Sequence, residues 1–268
     1  MDIRLLGPLE VLDNGVRLPL AGPSRRLALA GLALCAGKTV SSDDLARLLY
    51  GSRAASAGAR TAVHSAVGRL RRALPGEVVE TAPGGGYRLR PGRVTVDLVR
   101  FENALARARA LAADPATRAE AAELLADALT LWHGTPLAGL PDDSHLVRQE
   151  RPRLVDLQLT AQEEWLGLRL ALGEHAVVLD ALADAVRLHP LRERFAAHLV
   201  LALYRCGRPE EALQTVREAR RRLGRPAREL RELARAVKRG DPRLLHPGQG
   251  PAPAAPGPAP VPGQARPA

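Results

Sequence analysis

Short strands, three helices and a glycine-tipped hairpin in the first 96 residues, then amphipathic helices carrying a 34-residue internal repeat, predict a mainly α chain. The expected architecture is an N-terminal winged helix-turn-helix of α+β type (1–96), an all-α tetratricopeptide-like helical domain (97–246) and a disordered Pro/Gly-rich tail (247–268). The 268 residues, with 46% apolar and 25% charged side chains, suffice for two ordinary domains and exclude a wholly disordered chain. The longest near-continuous apolar run, Leu27 to Ala36, is well short of the roughly 20 residues that cross a bilayer. Asp2 and Arg4 spoil a signal peptide, so a soluble protein that stays inside the cell is expected.

The elements follow in order. Ile3 to Leu12 and Val16 to Leu20 read as short strands around the Asp13-Asn14-Gly15 turn. A helix from about Ser24 to Cys35 comes next, then one from Ser42 to Tyr50, where Ser41 or Ser42 offers a cap and Asp43 and Asp44 suit the positive helix start. A third runs from about Arg60 to Leu74 and stops before Pro75-Gly76. Val78 to Thr81, the turn Pro83-Gly84-Gly85-Gly86 and Tyr87 to Arg90 make the hairpin, and Val94 to Val96 is a further strand candidate.

The third helix is the most informative stretch. Ala62, Val63, Ala66, Val67, Leu70, Ala73 and Leu74 fall in one arc of about 140°, as a core-facing helix requires. Thr61, His64, Ser65, Gly68, Arg69, Arg71 and Arg72 fall on the other arc. A solvated basic face is the plain alternative. Against it, no acid stands within four residues of Arg69, Arg71 or Arg72. Gly68 also sits mid-helix at a cost of roughly 1 kcal/mol relative to alanine, where it lets another surface approach the backbone. Such a face suits the major groove of DNA, with Arg69 and His64 placed for base edges and Arg71 and Arg72 for phosphates. The hairpin supplies Tyr87, Arg88 and Arg90 for the adjacent backbone or minor groove, unless it is a plain strand pair.

Charge supports this placement. The chain carries +10, and all but Lys38 and Lys238 of its 39 basic residues are arginine, a ratio that a GC-rich genome largely accounts for. Position is more telling: residues 60 to 93 hold seven arginines against Glu77 and Glu80, whereas residues 98 to 246 hold 24 basic against 21 acidic residues. The positive field is local.

In the second half Asp97 is a good N-cap for Leu98 to Ala112, and helical periodicity resumes from Thr117 to Trp132. Further helices are expected near Pro152 to Leu172, with Pro152 either starting or kinking it, Glu174 to His189, Leu191 to Cys206, Pro209 to Leu223 and Ala227 to Arg239. Leu172-Gly173-Glu174 recurs 34 residues later as Cys206-Gly207-Arg208, with Trp165 mapping to Leu199, Leu166 to Val200, Leu170 to Tyr204 and Leu179 to Leu213. That is the tetratricopeptide period, although a helical bundle with coincidental spacing has the same letters. Eight prolines and four glycines among residues 247 to 268 mark the tail.

Enzyme signatures are wanting. Gly31 to Thr39 imitates a phosphate loop but has five residues between its glycines and continues a helix. The seven histidines form no HExxH and no i,i+4 pair, Ser144-His145 after Asp142-Asp143 lacks a GxSxG elbow, and Cys35 and Cys206 read as free thiols. No catalytic residue, metal or cofactor is expected.

Taken jointly, Ile3 to Val11, Gly22 to Leu29, Val67-Gly-Arg-Leu-Arg-Arg-Ala-Leu74 and Gly86-Tyr87-Arg88-Leu89 resemble the Streptomyces antibiotic regulatory protein family. Leu131-Trp132-His133-Gly134, Ala171 to His175, His189 to Arg194 and Leu203 to Arg208 are similar to that family's bacterial transcriptional activation domain, so the resemblance covers about residues 1 to 245. It implies an OmpR-type winged helix that binds direct repeats in double-stranded DNA near a promoter's −35 region. It also implies recruitment of RNA polymerase holoenzyme through its sigma factor and other subunits, a homodimer or tandem binding on DNA, no membrane, and a place in the cytoplasm on the nucleoid. The expected role is activation of secondary-metabolite genes. The alternative is a helical-repeat adaptor that binds nucleic acid without sequence preference.

Overall fold

A computed structural model describes residues 1–82, 85–224 and 228–245. The Pro/Gly-rich tail and the hairpin tip at Pro83-Gly84 lie outside the described residues. Packing divides the chain into two units, Met1–Leu168 and Arg169–Ala268.

The first unit opens with a four-stranded sheet in the order β3-β2-β1-β6. Its strands are β1 (Asp2–Arg4), β2 (Glu10–Asp13), β3 (Val16–Arg17) and β6 (Thr95–Val96). Ile3 opposes Val11 of antiparallel β2 and Val96 of parallel β6, so the end of the wing returns to the first strand. The expected strand over Ile3 to Leu12 is broken in two, because Leu5 to Leu9 leave the sheet to pair with a later loop. Leu137 N–H donates to Leu5 O at 3.0 Å, His133 N–H to Leu6 O at 3.0 Å and Leu9 N–H to Ala138 O at 3.0 Å. Gly7 permits this approach, since a Cβ there would lie 2.6 Å from the His133 ring.

Three helices follow: α1 (Pro23–Leu34), α2 (Ser42–Tyr50) and α3 (Ala57–Ala73). Ser41 caps α2 reciprocally with Asp44, its Oγ accepting the Asp44 amide at 3.0 Å and donating to the Asp44 carboxylate at 2.6 Å. That bond and the Arg47 side chain hold the Asp44 carboxyl below its usual range. The inner faces of the three helices meet the sheet in one core built on Leu29, Leu32, Leu45, Val63, Leu70 and Ile3. The wing is β4 (Val79–Thr81) paired with β5 (Tyr87–Leu89), Glu80 opposing Arg88.

Asp97 plays a larger part than the expected helix cap. It is 6% exposed, and its carboxylate accepts from the amides of Leu5 (2.8 and 2.9 Å), Leu6 (3.0 Å) and Leu98 (2.8 Å). It thus clamps the end of β1 to the start of α4 (Asp97–Ala112). Burial pushes this carboxyl up, with the amide bonds pulling against it. Helix α4 packs on α5 (Arg118–Leu129), and Phe101 of α4 meets Trp132, just beyond α5, edge to face at 5.1 Å. Helix α6 (His145–Ala171) contains Pro152, so the proline neither starts nor ends it.

In the second unit α8 (Glu193–Arg205) packs on α7 (Leu179–Leu188), α9 (Pro209–Leu223) and α10 (Arg228–Lys238). Helix α7 starts five residues later than its periodicity predicts, because the amides of Val177 and Val178 turn back to Glu174 O. The 34-residue repeat is written in backbone geometry. Gly173 and Gly207 both take positive φ (86° and 74°), and the Gly173 and Gly207 amides donate to Leu170 O and Tyr204 O. The next amides, of Glu174 and Arg208, donate to Arg169 O and Leu203 O. The same helix ending therefore occurs twice, one repeat apart.

Candidate nucleic-acid interface

Helix α3 divides as its pattern predicts. Val63, Ala66, Val67 and Leu70 are buried in the core, while Thr61, His64, Ser65, Arg69, Arg71 and Arg72 are exposed on the opposite face. Gly68 lies among them, and a Cβ built there meets nothing within 4 Å. The gap is open space at the centre of the face.

The arginines of the face are not equivalent. Among the described residues, Arg69 and Arg72 make no ion pair or side-chain hydrogen bond. Arg69 is still felt at Tyr50, whose phenol is pushed up by burial and pulled down by that cation. Arg71 is committed to the wing: its Nε donates to Val79 O at 3.0 Å, its Nη2 to Thr81 Oγ1 at 2.8 Å, and its guanidinium lies 5.5 Å from the centre of the Tyr87 ring. Arg60, at the start of the face, pairs with Asp43 of α2, Nη2 to Oδ2 at 2.6 Å.

On the wing, Arg88 donates to Glu80, and Arg90 pairs with Glu80 at 3.1 Å and with Glu77 at 3.0 Å. The Arg88 guanidinium, helped by Arg90, holds the Glu80 carboxyl below its usual range. Arg88 and Arg90 remain part exposed, so the wing presents positive charge that is partly balanced by its own acids.

Tyr87 stands behind the face rather than on it. It is 6% exposed, its hydroxyl meets His64 Nδ1, and the two rings are edge to face at 5.9 Å. Its backbone exchanges two hydrogen bonds of 2.8 Å with Val40, so the chain entering α2 flanks the wing. Gly86 makes that possible: at φ 87° a Cβ would sit 2.5 Å from Val40 O. The inward turn of Tyr87 was readable from strand alternation, because Leu89, two residues on, belongs to the core. The Asp43–Arg60 pair and the Arg71 tie carry no such signal, since each joins elements whose contact is set by the tertiary fold.

These parts define a class, a winged helix-turn-helix with a basic outer face on its third helix followed in the chain by a tetratricopeptide-like helical unit. Residues 96–238 match the bacterial transcriptional activator domain. Regulatory protein AfsR of Streptomyces griseus is 33% identical over 93% of this chain, and the transcriptional regulator RedD of Streptomyces coelicolor is 32% identical over 83% of this chain and 65% of its own length. The solved structure of Mycobacterium tuberculosis EmbR in complex with a low-affinity phosphopeptide superposes at a TM-score of 0.80, with 31% identity, over 90% of this chain and 65% of that one. The chain belongs to the Streptomyces antibiotic regulatory protein family of transcriptional activators. It spans 26% of the length of that AfsR. No helix among the described residues is long and apolar enough to cross a membrane.

Proposed function

We propose that the protein is a sequence-specific, non-enzymatic transcriptional activator working in the cytoplasm on the nucleoid. Residues 1–96 bind short direct repeats near a promoter's −35 region, and residues 97–246 support dimerisation or tandem binding and recruitment of RNA polymerase holoenzyme through its sigma factor. The observation that carries this reading is the outer face of α3, where Arg69 and Arg72 stand unpaired among the described residues on the exposed face that Gly68 leaves open. An α-helix fits the major groove, and a guanidinium fork matches guanine O6 and N7.

On this reading Arg69 reads a base and Arg72 meets a phosphate. A duplex selected from a randomised pool by the wild-type protein, set against a scrambled duplex at fixed salt, tests it. Arg69→Ala should weaken the selected duplex by about 1–3 kcal/mol while leaving the scrambled one nearly unchanged. Equal weakening of both would make Arg69 a phosphate contact. If no sequence is enriched from the pool at all, the adaptor with non-specific nucleic-acid binding takes the place of the activator.

A further inference from the structure

The ring of His64 is not free to rotate on the face. Tyr87 reaches it from the wing, and the phenol is itself fixed by the Val40 bridge behind it and the Arg71 guanidinium over its ring. Among the described residues His64 Nδ1 is the only hydrogen-bond partner of the Tyr87 hydroxyl. A buried hydroxyl has one proton to place, and leaving a donor unmatched costs more than leaving a lone pair unmatched. A cation over the ring also draws electron density from the phenol, which favours giving its hydrogen bond over accepting one. The Tyr87 O–H therefore donates to Nδ1, and the neutral imidazole carries its proton on Nε2.

We propose that Tyr87 is a positioning residue that fixes His64 as the Nε2–H tautomer, making His64 a specificity-determining donor for an acceptor on a base edge, guanine O6 or N7 in the major groove. The opposite tautomer would present an acceptor and select the amino groups of cytosine or adenine instead. Gly68 lies one turn after His64 on the same face, and the space beside it admits the base edge. Arg71 belongs to this support as well: two of its five N–H donors go to Val79 and Thr81, which ties it to the wing behind the reading group. The inference rests on the reading of α3 as the DNA-facing helix.

Two measurements on the full chain test it. Long-range proton–nitrogen NMR of the DNA-free protein, labelled on histidine nitrogen and taken at about pH 8 where imidazole is neutral, should give the Nε2–H pattern for the signal lost in His64→Gln. In Tyr87→Phe, which keeps the ring under Arg71, that signal should move toward a tautomer mixture. An Nδ1–H pattern, or no change in Tyr87→Phe, overturns the proposal.

The second measurement repeats selection from the randomised duplex pool. His64→Ala and Tyr87→Phe should both relax the preference for guanine at one and the same position, lowering discrimination about fivefold, the worth of one hydrogen bond. The double variant should be no worse than His64→Ala, and the salt slope should not change. Additive losses, or losses at different positions, overturn it. If Arg69→Ala alters discrimination and His64→Ala does not, only this inference falls. If neither alters it, the DNA-facing role of α3 falls, and the tautomer result stands by itself.

Discussion

The outer face of α3 and the wing beside it carry the same residue type and use it differently. On the wing, Arg88 is matched to Glu80 across the strand pair and Arg90, just past β5, to Glu80 and to Glu77 before β4, so their charge helps to hold a hairpin in shape. On the helix, Arg69 and Arg72 have no such partner among the described residues. Arg71 lies between the two regions in both senses, rooted in the helix and spent on the wing. A count of positive charge treats all five as equal. What separates them is whether a counter-group is already in place, because an arginine that must first leave a carboxylate gains less from a phosphate than one that leaves only water.

The two glycines of these regions give the largest expected contrast. Gly86 is held at φ 87° with Val40 O where a side chain would begin, whereas Gly68 is helical and open. Gly86→Ala should cost about 3 kcal/mol, combining left-handed backbone with a backbone clash, and should lower the melting temperature of the first unit by several degrees. Gly68→Ala should leave stability unchanged or raise it by up to about 1 kcal/mol. Calorimetry of the two variants side by side checks both, and a Gly68→Ala protein less stable than wild type would mean that this position packs against something and is not an open part of the face.

A smaller effect distinguishes neighbours on one helix. Arg71→Ala removes two hydrogen bonds and a ring contact and should destabilise the protein by about 1–2 kcal/mol, with little change in the salt dependence of DNA binding. Arg72→Ala should do the reverse, leaving the melt unmoved while the log–log salt slope falls by about one. A titration across ionic strength with a parallel thermal melt separates them. Should Arg71→Ala also lower the slope by about one, its tie to the wing is broken when DNA binds, and the line drawn between held and free arginines moves.

How much of this was legible in the sequence depends on what fixes each feature. Helices α2 and α9 begin and end where their caps and prolines predict, since Ser41 and Pro209 act on the backbone within a turn. The polar arc of α3 was legible for the same reason, being a matter of spacing alone. The break of the first strand at Gly7-Pro8 was not, because the stretch from Leu5 to Leu9 takes its partners from residues 133 to 138, more than a hundred positions away. Pro152 left a start and a kink both open, and α6 is 27 residues long and carries the proline within it, so it is not the start. For the site, the spacing placed Arg69, Arg71 and Arg72 on one face without telling them apart, since they differ in what the wing brings up to them.

The smallest effect expected concerns Arg60, which pairs with Asp43 across α2 and α3 with both side chains largely exposed. Water and salt screen such a pair, and α2 and α3 already share a core through Leu45, Leu49, Val63 and Val67. A double-mutant cycle of Arg60→Ala and Asp43→Ala, followed by denaturant unfolding, should give a coupling of no more than about 0.5 kcal/mol. The same cycle read by DNA affinity is the more telling half. Asp43→Ala frees a guanidinium at the start of α3 and should tighten binding modestly at low salt, an advantage that disappears when Arg60 is also removed. A tightening that survives the loss of Arg60 would mean that Asp43 opposes the phosphates directly, and that pairing does not decide which arginines of this face are available to DNA.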